Sequence, residues 1–305
     1  MIEKKWFIRV AIFFLPIVTY GVLGESFDFL FFRELRELHQ EKGKLEILIT
    51  GTSQTENSVI ACQLSDPAAN IAFPQKHHHL DQGTVEHVLK TEDQVNTIAI
   101  ELSYEHFELP YLTRGGRRAY LLKYFDINTY DRPVYPWDHL LFSKNPNQYR
   151  KDIIKWRGQL VEEDPECKFE YLKQKRTFDS LGYDDSKIKP DRQFFSRRIL
   201  NDSVYKKNTV FFKGMISDWI DSGLRVVIII PPKHPVYHMM MNPEITYRRD
   251  TVINNLRQQY PQLLLLDRER DTVNFITRDF RDQNHLNDRG AIKFTKMLDS
   301  LLLAN

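Results

Sequence analysis

Two short segments, far apart in the chain, carry residue types that can do acyl chemistry together. Gly51-Thr52-Ser53 follows the apolar run Leu45-Glu46-Ile47-Leu48-Ile49-Thr50, and Asp279-Phe280-Arg281-Asp282-Gln283-Asn284-His285-Leu286-Asn287 precedes the last helical pattern. A serine hydroxyl is a weak nucleophile until a base takes its proton, and imidazole can do so near neutral pH. A carboxylate three residues before a histidine can fix the ring tautomer that accepts this proton and can stabilise the imidazolium that results. The spacing therefore nominates Ser53 as nucleophile, His285 as general base and Asp282 as its orienter. Gly51 permits a sharp turn after the strand. Ser53 then stands at a helix start, where its own N–H and the helix dipole can hold an oxyanion. Each segment alone has a plainer reading. Thr52, Ser53 or Thr55 can simply cap a helix, and Asp282 and His285 can be polar loop residues. Asp279 is a rival orienter, but six residues from His285 it has a less direct geometry.

Other candidates carry less chemistry. His77-His78-His79 looks like a metal cluster, yet adjacent side chains do not converge on one ion, and the triplet reads better as a solvated helix start. No metal and no organic cofactor is expected. His234 and Tyr237 follow an apolar strand and either line an acceptor pocket or pack the loop. Met239-Met240-Met241 reads as local packing. Arg114, Arg117 and Arg118 flank Gly115-Gly116 and suit either an anionic polymer or a solvated basic loop. Cys62 and Cys167 lack zinc-type spacing; two buried free thiols are the favoured reading, with pairing open to an exported chain. The 43 basic and 41 acidic side chains leave a formal charge of +2, so no global field selects nucleic acid. At 42% hydrophobic residues the chain is neither disordered nor short of a core.

These residues need a scaffold, and the sequence outlines one. Lys4-Lys5 precedes an apolar run, Trp6 to Gly24, of about the length that spans a ~30 Å hydrocarbon core. The positive flank predicts an uncleaved N-in anchor over residues 1–24, with everything after Glu25 outside the cytoplasm; a cleaved signal peptide is the rival. Residues 25–43 read as an amphipathic stalk or a continuation of the anchor helix, ending at Gly43. Strands are expected at 45–50, 69–73, 95–102, 224–230 and 263–266. Helices are expected at 56–64, 78–92, 203–222, 245–259 and 288–302. Alternating helices and continuously apolar strands predict an α/β domain over 44–305 with a doubly wound parallel sheet. Residues 104–200 break the rhythm with Tyr, Trp, Lys and Pro. They read as an insertion with helices lining one end of the sheet.

Taken together, Gly51-Thr52-Ser53 after the first core strand and Asp282-Gln283-Asn284-His285 before the last helix resemble blocks I and V of the SGNH (GDSL-like) hydrolases. The run DFRDQNHLNDRGAIKFT, 279–295, is similar to the C-terminal signature of membrane-anchored SGNH-like proteins of bacterial surface-polymer acylation systems. Ile229 to Tyr237 resembles the strand-ending segment of the same group. The resemblance covers about 44–103 and 203–305 and implies an SGNH/flavodoxin-like fold. It also implies hydrolysis or transfer of an ester-linked acyl group on an exported glycan or cell-wall polymer, at the cytoplasmic membrane, with a membrane-bound O-acyltransferase as possible partner. The sequence departs from the family at three places. Thr52 stands for the usual Asp, Asn70 to Gln75 contains no Gly, and Glu101-Leu102-Ser103-Tyr104 lacks Gly-x-Asn. The family's oxyanion donors cannot be carried over, which leaves Ser53 N–H with Asn70 or Ser103. Those departures sustain a second expectation, a non-catalytic module that binds polymer or scaffolds an acylation complex.

Overall fold

A computed structural model of the chain describes residues 33–74, 77–110, 117–139, 177–190 and 199–305, together with Leu15. Its centre is a five-stranded sheet of β1 (Ile47–Thr50), β2 (Ala68–Asn70), β3 (Thr97–Glu101), β4 (Arg225–Ile230) and β5 (Leu264–Asp267). All neighbours are parallel, in the order β2-β1-β3-β4-β5. Both faces are covered, which is why the strands read as unbroken apolar runs. Successive side chains alternate between two cores. Leu48, Ile98, Ile100, Val226 and Ile228 face one of them. Ile47, Ile49, Ala99, Val227 and Ile229 face the other.

The first core is closed by α1 (Arg33–Gln40), α3 (His78–Leu89), α4 (Arg118–Phe125), α5 (Asp202–Asp221) and α7 (Pro243–Gln259). The second is closed mainly by α8 (Asp288–Leu303), through Phe294, Leu298 and Leu302. The short helices α2 (Ser53–Glu56) and α6 (Pro235–His238) sit just past the carboxyl ends of β1 and β4. Helix starts follow their local chemistry: Asn242 caps α7, accepting from Glu244 N at 3.0 Å, with Pro243 in its first turn.

The α/β parallel architecture agrees with the sequence. Three expectations change. The helix expected at 56–64 instead spans Ser53–Glu56, followed by a 3-10 turn at Ala61–Gln63. Its backbone leaves the helical path because Ile60 N donates to Thr295 Oγ1 on α8, at 3.0 Å. The described part of the expected stalk or anchor extension docks on the domain. Leu35 enters the first core, and Glu37 Oε2 accepts Asn70 N at 2.6 Å on the open edge of β2. Cys62 is exposed and disulfide-bonded, which overturns the reading of two buried free thiols. The one other cysteine in the sequence, Cys167, lies outside the described residues.

Among the described residues no helix is long and apolar enough to cross a membrane. The expected span, Trp6 to Gly24, lies outside them except for Leu15, as do 111–116, 140–176 and 191–198 of the expected insertion. Within the insertion's described parts, α4 packs Tyr120, Leu121 and Phe125 into the first core. The 3-10 turn at Phe178–Leu181 lies against the loop before α8, with Phe178 N donating to Arg281 O at 2.7 Å.

Candidate active site

The order of the sheet reverses at β1, which starts the chain's path in the middle of the sheet. In open parallel sheets, ligands bind outside the carboxyl ends of strands at such a switch point. Here Gly51 leaves the end of β1 at φ +151°, a conformation that L side chains rarely adopt. A Cβ at this position would stand 2.5 Å from Glu101 Cβ, so only glycine lets β3 approach the turn this closely. Thr52 then caps α2, its side chain accepting from Gln54 N at 3.3 Å. Ser53 takes the first helical position.

The second half of the site is the loop before α8. Phe280 and Leu286 pair as an antiparallel bridge, and Arg281 N donates to His285 O at 3.0 Å. The chain thus folds back within a few residues. Asp282 Oδ1 accepts the N–H groups of Asn284 and His285 at 3.1 and 3.0 Å, which fixes its carboxylate against the same turn. Asn287 caps α8, accepting from Gly290 N at 3.2 Å. Gly290 is required there because a Cβ would lie 2.2 Å from Asp279 O.

These two turns meet. Ser53 Oγ lies 2.9 Å from His285 Nε2. His285 Nδ1 lies 2.9 and 3.0 Å from the two oxygens of Asp282. With Nδ1–H donating to the carboxylate, Nε2 is left to accept the serine proton. Burial pushes the Asp282 carboxyl up, but the His285 imidazole, the bonds to it and the Arg281 guanidinium outweigh this and hold it well below the usual carboxylate range. Asp279, the rival orienter, is fully buried elsewhere. It pairs with Arg289 at 2.8 Å and Lys293 at 2.7 Å, and accepts Ile276 N at 2.9 Å.

The remaining nominated residues do not join this constellation. Asn70 is buried with its amide donating to Thr55 O and Val59 O at 3.2 and 2.9 Å, so it pins the chain after α2 and offers nothing to an oxyanion. Ser103 turns its hydroxyl inward to Gln54 Oε1, at 2.7 Å, and to Glu101. His234 caps α6, accepting from Val236 N at 3.3 Å, and reaches Thr277 Oγ1 at 3.2 Å. Tyr237 is buried with its hydroxyl on Glu105, 3.1 Å away. Neither therefore lines an open acceptor pocket; both pack the loop. Of the expected oxyanion donors, Ser53 N–H alone stands at the nucleophile.

The histidine triplet starts α3 as expected but is not solvated. His77 caps the helix, and His78 is buried with Nε2 3.2 Å from Glu101 O. Burial, then the charge of His106, pushes His77 down to about 4. Among the described residues no group of three or more His, Cys, Asp or Glu is placed to hold a metal ion. Met240 and Met241 pack with Tyr104, Tyr237 and Ile245, as expected, whereas Met239 is exposed. Arg117 is no free basic loop residue: it pairs with buried Glu34 and lies over the rings of Phe73 and Tyr120. Arg118 lies over Tyr130, and Arg114 is outside the described residues.

Three residues that the sequence did not nominate surround the site. Glu101, at the end of β3, accepts Thr52 N and Thr55 N at 2.7 and 3.1 Å and Thr52 Oγ1 at 2.9 Å. Burial raises its carboxyl, but His106, Lys233 and the bonds from the Ser103 hydroxyl and Thr52 N together keep it below its ordinary value. It stands as a fixed anion that holds the turn bearing Ser53. The signal available in the sequence was a lone acid closing an apolar strand. Arg281 and Asn57 are the others, adjacent to Asp282 and four residues beyond Ser53. In a comparison with known proteins, no family model matches the chain, and no curated protein matches it at a significant level.

Proposed function

We propose that the chain is a membrane-anchored, extracytoplasmic SGNH-type serine O-acyl esterase or O-acyltransferase acting on an exported glycan or cell-wall polymer. One observation carries the chemical part: an unbroken relay from Ser53 Oγ through His285 to Asp282, with 2.9 Å at each step. Such a relay suits a two-step acyl transfer. Ser53 Oγ bonds to the acyl carbonyl carbon while its proton passes to His285 Nε2. The tetrahedral intermediate expels the donor's alcohol oxygen, which leaves with that proton, and an acyl-enzyme remains. Water or a sugar hydroxyl then attacks, giving its proton to His285, and the Ser53 Oγ–acyl bond breaks as the serine recovers a proton. Ser53 N–H, at the start of α2, is suitably placed for the oxyanion. The polymer substrate, and a membrane-bound O-acyltransferase as the partner that exports acyl groups, rest on the resemblance of 279–295 to its family. The disulfide at Cys62 fits an oxidising compartment, and the Lys4-Lys5 flank fits N-in insertion.

A second reading, a binding or scaffolding module, is favoured by the inward-turned Asn70 and Ser103. Loss of one oxyanion donor can lower a rate by about 10²–10³-fold. A fluorophosphonate probe separates the two readings. The esterase reading expects labelling of the full chain in detergent, abolished in Ser53→Ala and in His285→Ala. A folded wild-type chain that resists the probe and hydrolyses no simple aryl ester is the binding module.

A further inference from the structure

The two halves of the site come from opposite ends of the chain, 232 residues apart. Packing of α8 against the sheet brings them near each other, yet a productive hydrogen bond requires placement to within about 0.5 Å. The structure contains a second connection between them. Arg281 is 7% exposed, and its guanidinium forks. Nε donates to Asp282 Oδ2 at 3.3 Å and Nη1 to Asn57 Oδ1 at 2.9 Å. The amide of Asn57 donates to Ser53 O at 2.5 Å, and Asn57 N donates to the same oxygen at 3.2 Å. Side chains therefore close a ring: Ser53 Oγ, His285, Asp282, Arg281, Asn57 and back to the carbonyl of Ser53. The backbone that carries the fork is held on both sides. Arg281 N is bonded to His285 O at 3.0 Å and Arg281 O to Phe178 N at 2.7 Å. A planar guanidinium holds both partners in one plane, which an ammonium does not do. Asn57 ends α2 by leaving the helix at φ −101°, ψ 6°, so its side chain turns back on the helix it closes.

We infer that Arg281 and Asn57 are a positioning pair, a strut that sets the Ser53–His285 distance by tying the orienting carboxylate to the backbone of the nucleophile. This inference rests on the esterase reading above. The strut touches neither substrate nor the reacting atoms. Its loss displaces a group that must be aligned, so it lowers the maximal acylation rate and leaves recognition of the probe intact.

The experiment is fluorophosphonate inactivation of the full chain in detergent, with the limiting rate and the half-saturating probe concentration measured separately across pH. Wild-type labelling, absent in Ser53→Ala, must come first; its absence ends the esterase reading and is distinct from the results that follow. Asn57→Ala and Arg281→Met are each expected to lower the limiting rate about 10–100-fold, with half-saturation unchanged. The double variant should fall no further than the slower single one, because one strut is broken once. Arg281→Lys, which keeps the charge but not the fork, should recover only part of the rate. In Arg281→Met the acid limb of the rate profile should move to higher pH, since Asp282 no longer shares its charge with a guanidinium. Thermal melts identify any variant that fails to fold, and Asn57→Ala alone then carries the test. Independent, multiplying losses in the double variant, or folded single variants labelling at the wild-type rate, would overturn the strut.

Discussion

At the scale of single residues, the distinction between Asp282 and Asp279 shows how local spacing sets a role. Both are acids before His285, but Asp282 faces Nδ1 whereas Asp279 is committed to Arg289 and Lys293. Asp282→Asn should fold, because its bonds to Asn284 N and His285 N survive through the amide oxygen. It should lose about 10³–10⁴-fold in ester hydrolysis, since an amide favours the wrong imidazole tautomer. Asp279→Asn should instead lower stability in urea by about 1–3 kcal/mol, less than a wholly buried pair because its two partners are part-exposed. An active, folded Asp282→Asn beside a dead, folded Asp279→Asn would reverse the assignment. A pH effect accompanies this. The Asp282 carboxyl is lowered in the fold, so its contribution to stability is present above its unfolded value and is lost as pH falls through the folded one. The wild type should thus lose its margin over Asp282→Asn on acidification, in melts followed from neutral pH downward. The same locality explains what was legible. Ser53, Asp282 and His285 announce themselves because each lies in a turn whose geometry its neighbours set. The surroundings of Asn70, Ser103, His234 and Tyr237 were not legible, because a polar side chain after a strand points wherever its distant partner lies.

At the scale of elements, the strands were legible because a doubly covered parallel sheet demands continuous apolar runs, and α5, α7 and α8 because their caps and periodicity agree. The helix after β1 was not. Its sequence continues to look helical past Glu56, but Ile60 N and Asn70 are bonded to partners that only the assembled fold supplies. Likewise, nothing in 33–40 marks that helix as a cover for the edge of β2 rather than a stalk. Close packing of α8 against the preceding loop is what carries His285 to Ser53, and Gly290 is its contact point. Gly290→Ala sets a Cβ 2.2 Å from Asp279 O, a backbone atom that cannot swing away. The loop 279–285 must shift as a body. The expected result is a loss of about 1–3 kcal/mol in urea melts, together with a fall in probe labelling larger than the loss of folded protein. Wild-type stability and labelling in this variant would mean that the loop is looser than the contact implies.

At the scale of the whole molecule, compartment and chemistry constrain each other. Cys62 is disulfide-bonded and exposed, and the chain has one other cysteine, Cys167. Cytoplasmic thiols are kept reduced, whereas exported domains keep such bonds. On the proposed reading, the apolar run Trp6 to Gly24 behind Lys4-Lys5 would put everything after Glu25 outside. A disulfide typically stabilises by about 2–4 kcal/mol, since it restricts the unfolded chain. The full chain purified without reductant should therefore take up no thiol-reactive label in denaturant, and two labels per chain after reduction. Cys62→Ser should melt earlier than the wild type while still labelling with the fluorophosphonate below its own midpoint. A reporter fused after Asn305 that requires disulfides, such as alkaline phosphatase, should be active, and one that requires the cytoplasm should be dark. Two free thiols in the untreated chain, joined to a cytoplasmically active fusion, would place the domain inside the cell and remove an exported polymer as its substrate, while leaving the Ser53–His285–Asp282 chemistry to be tested on soluble esters.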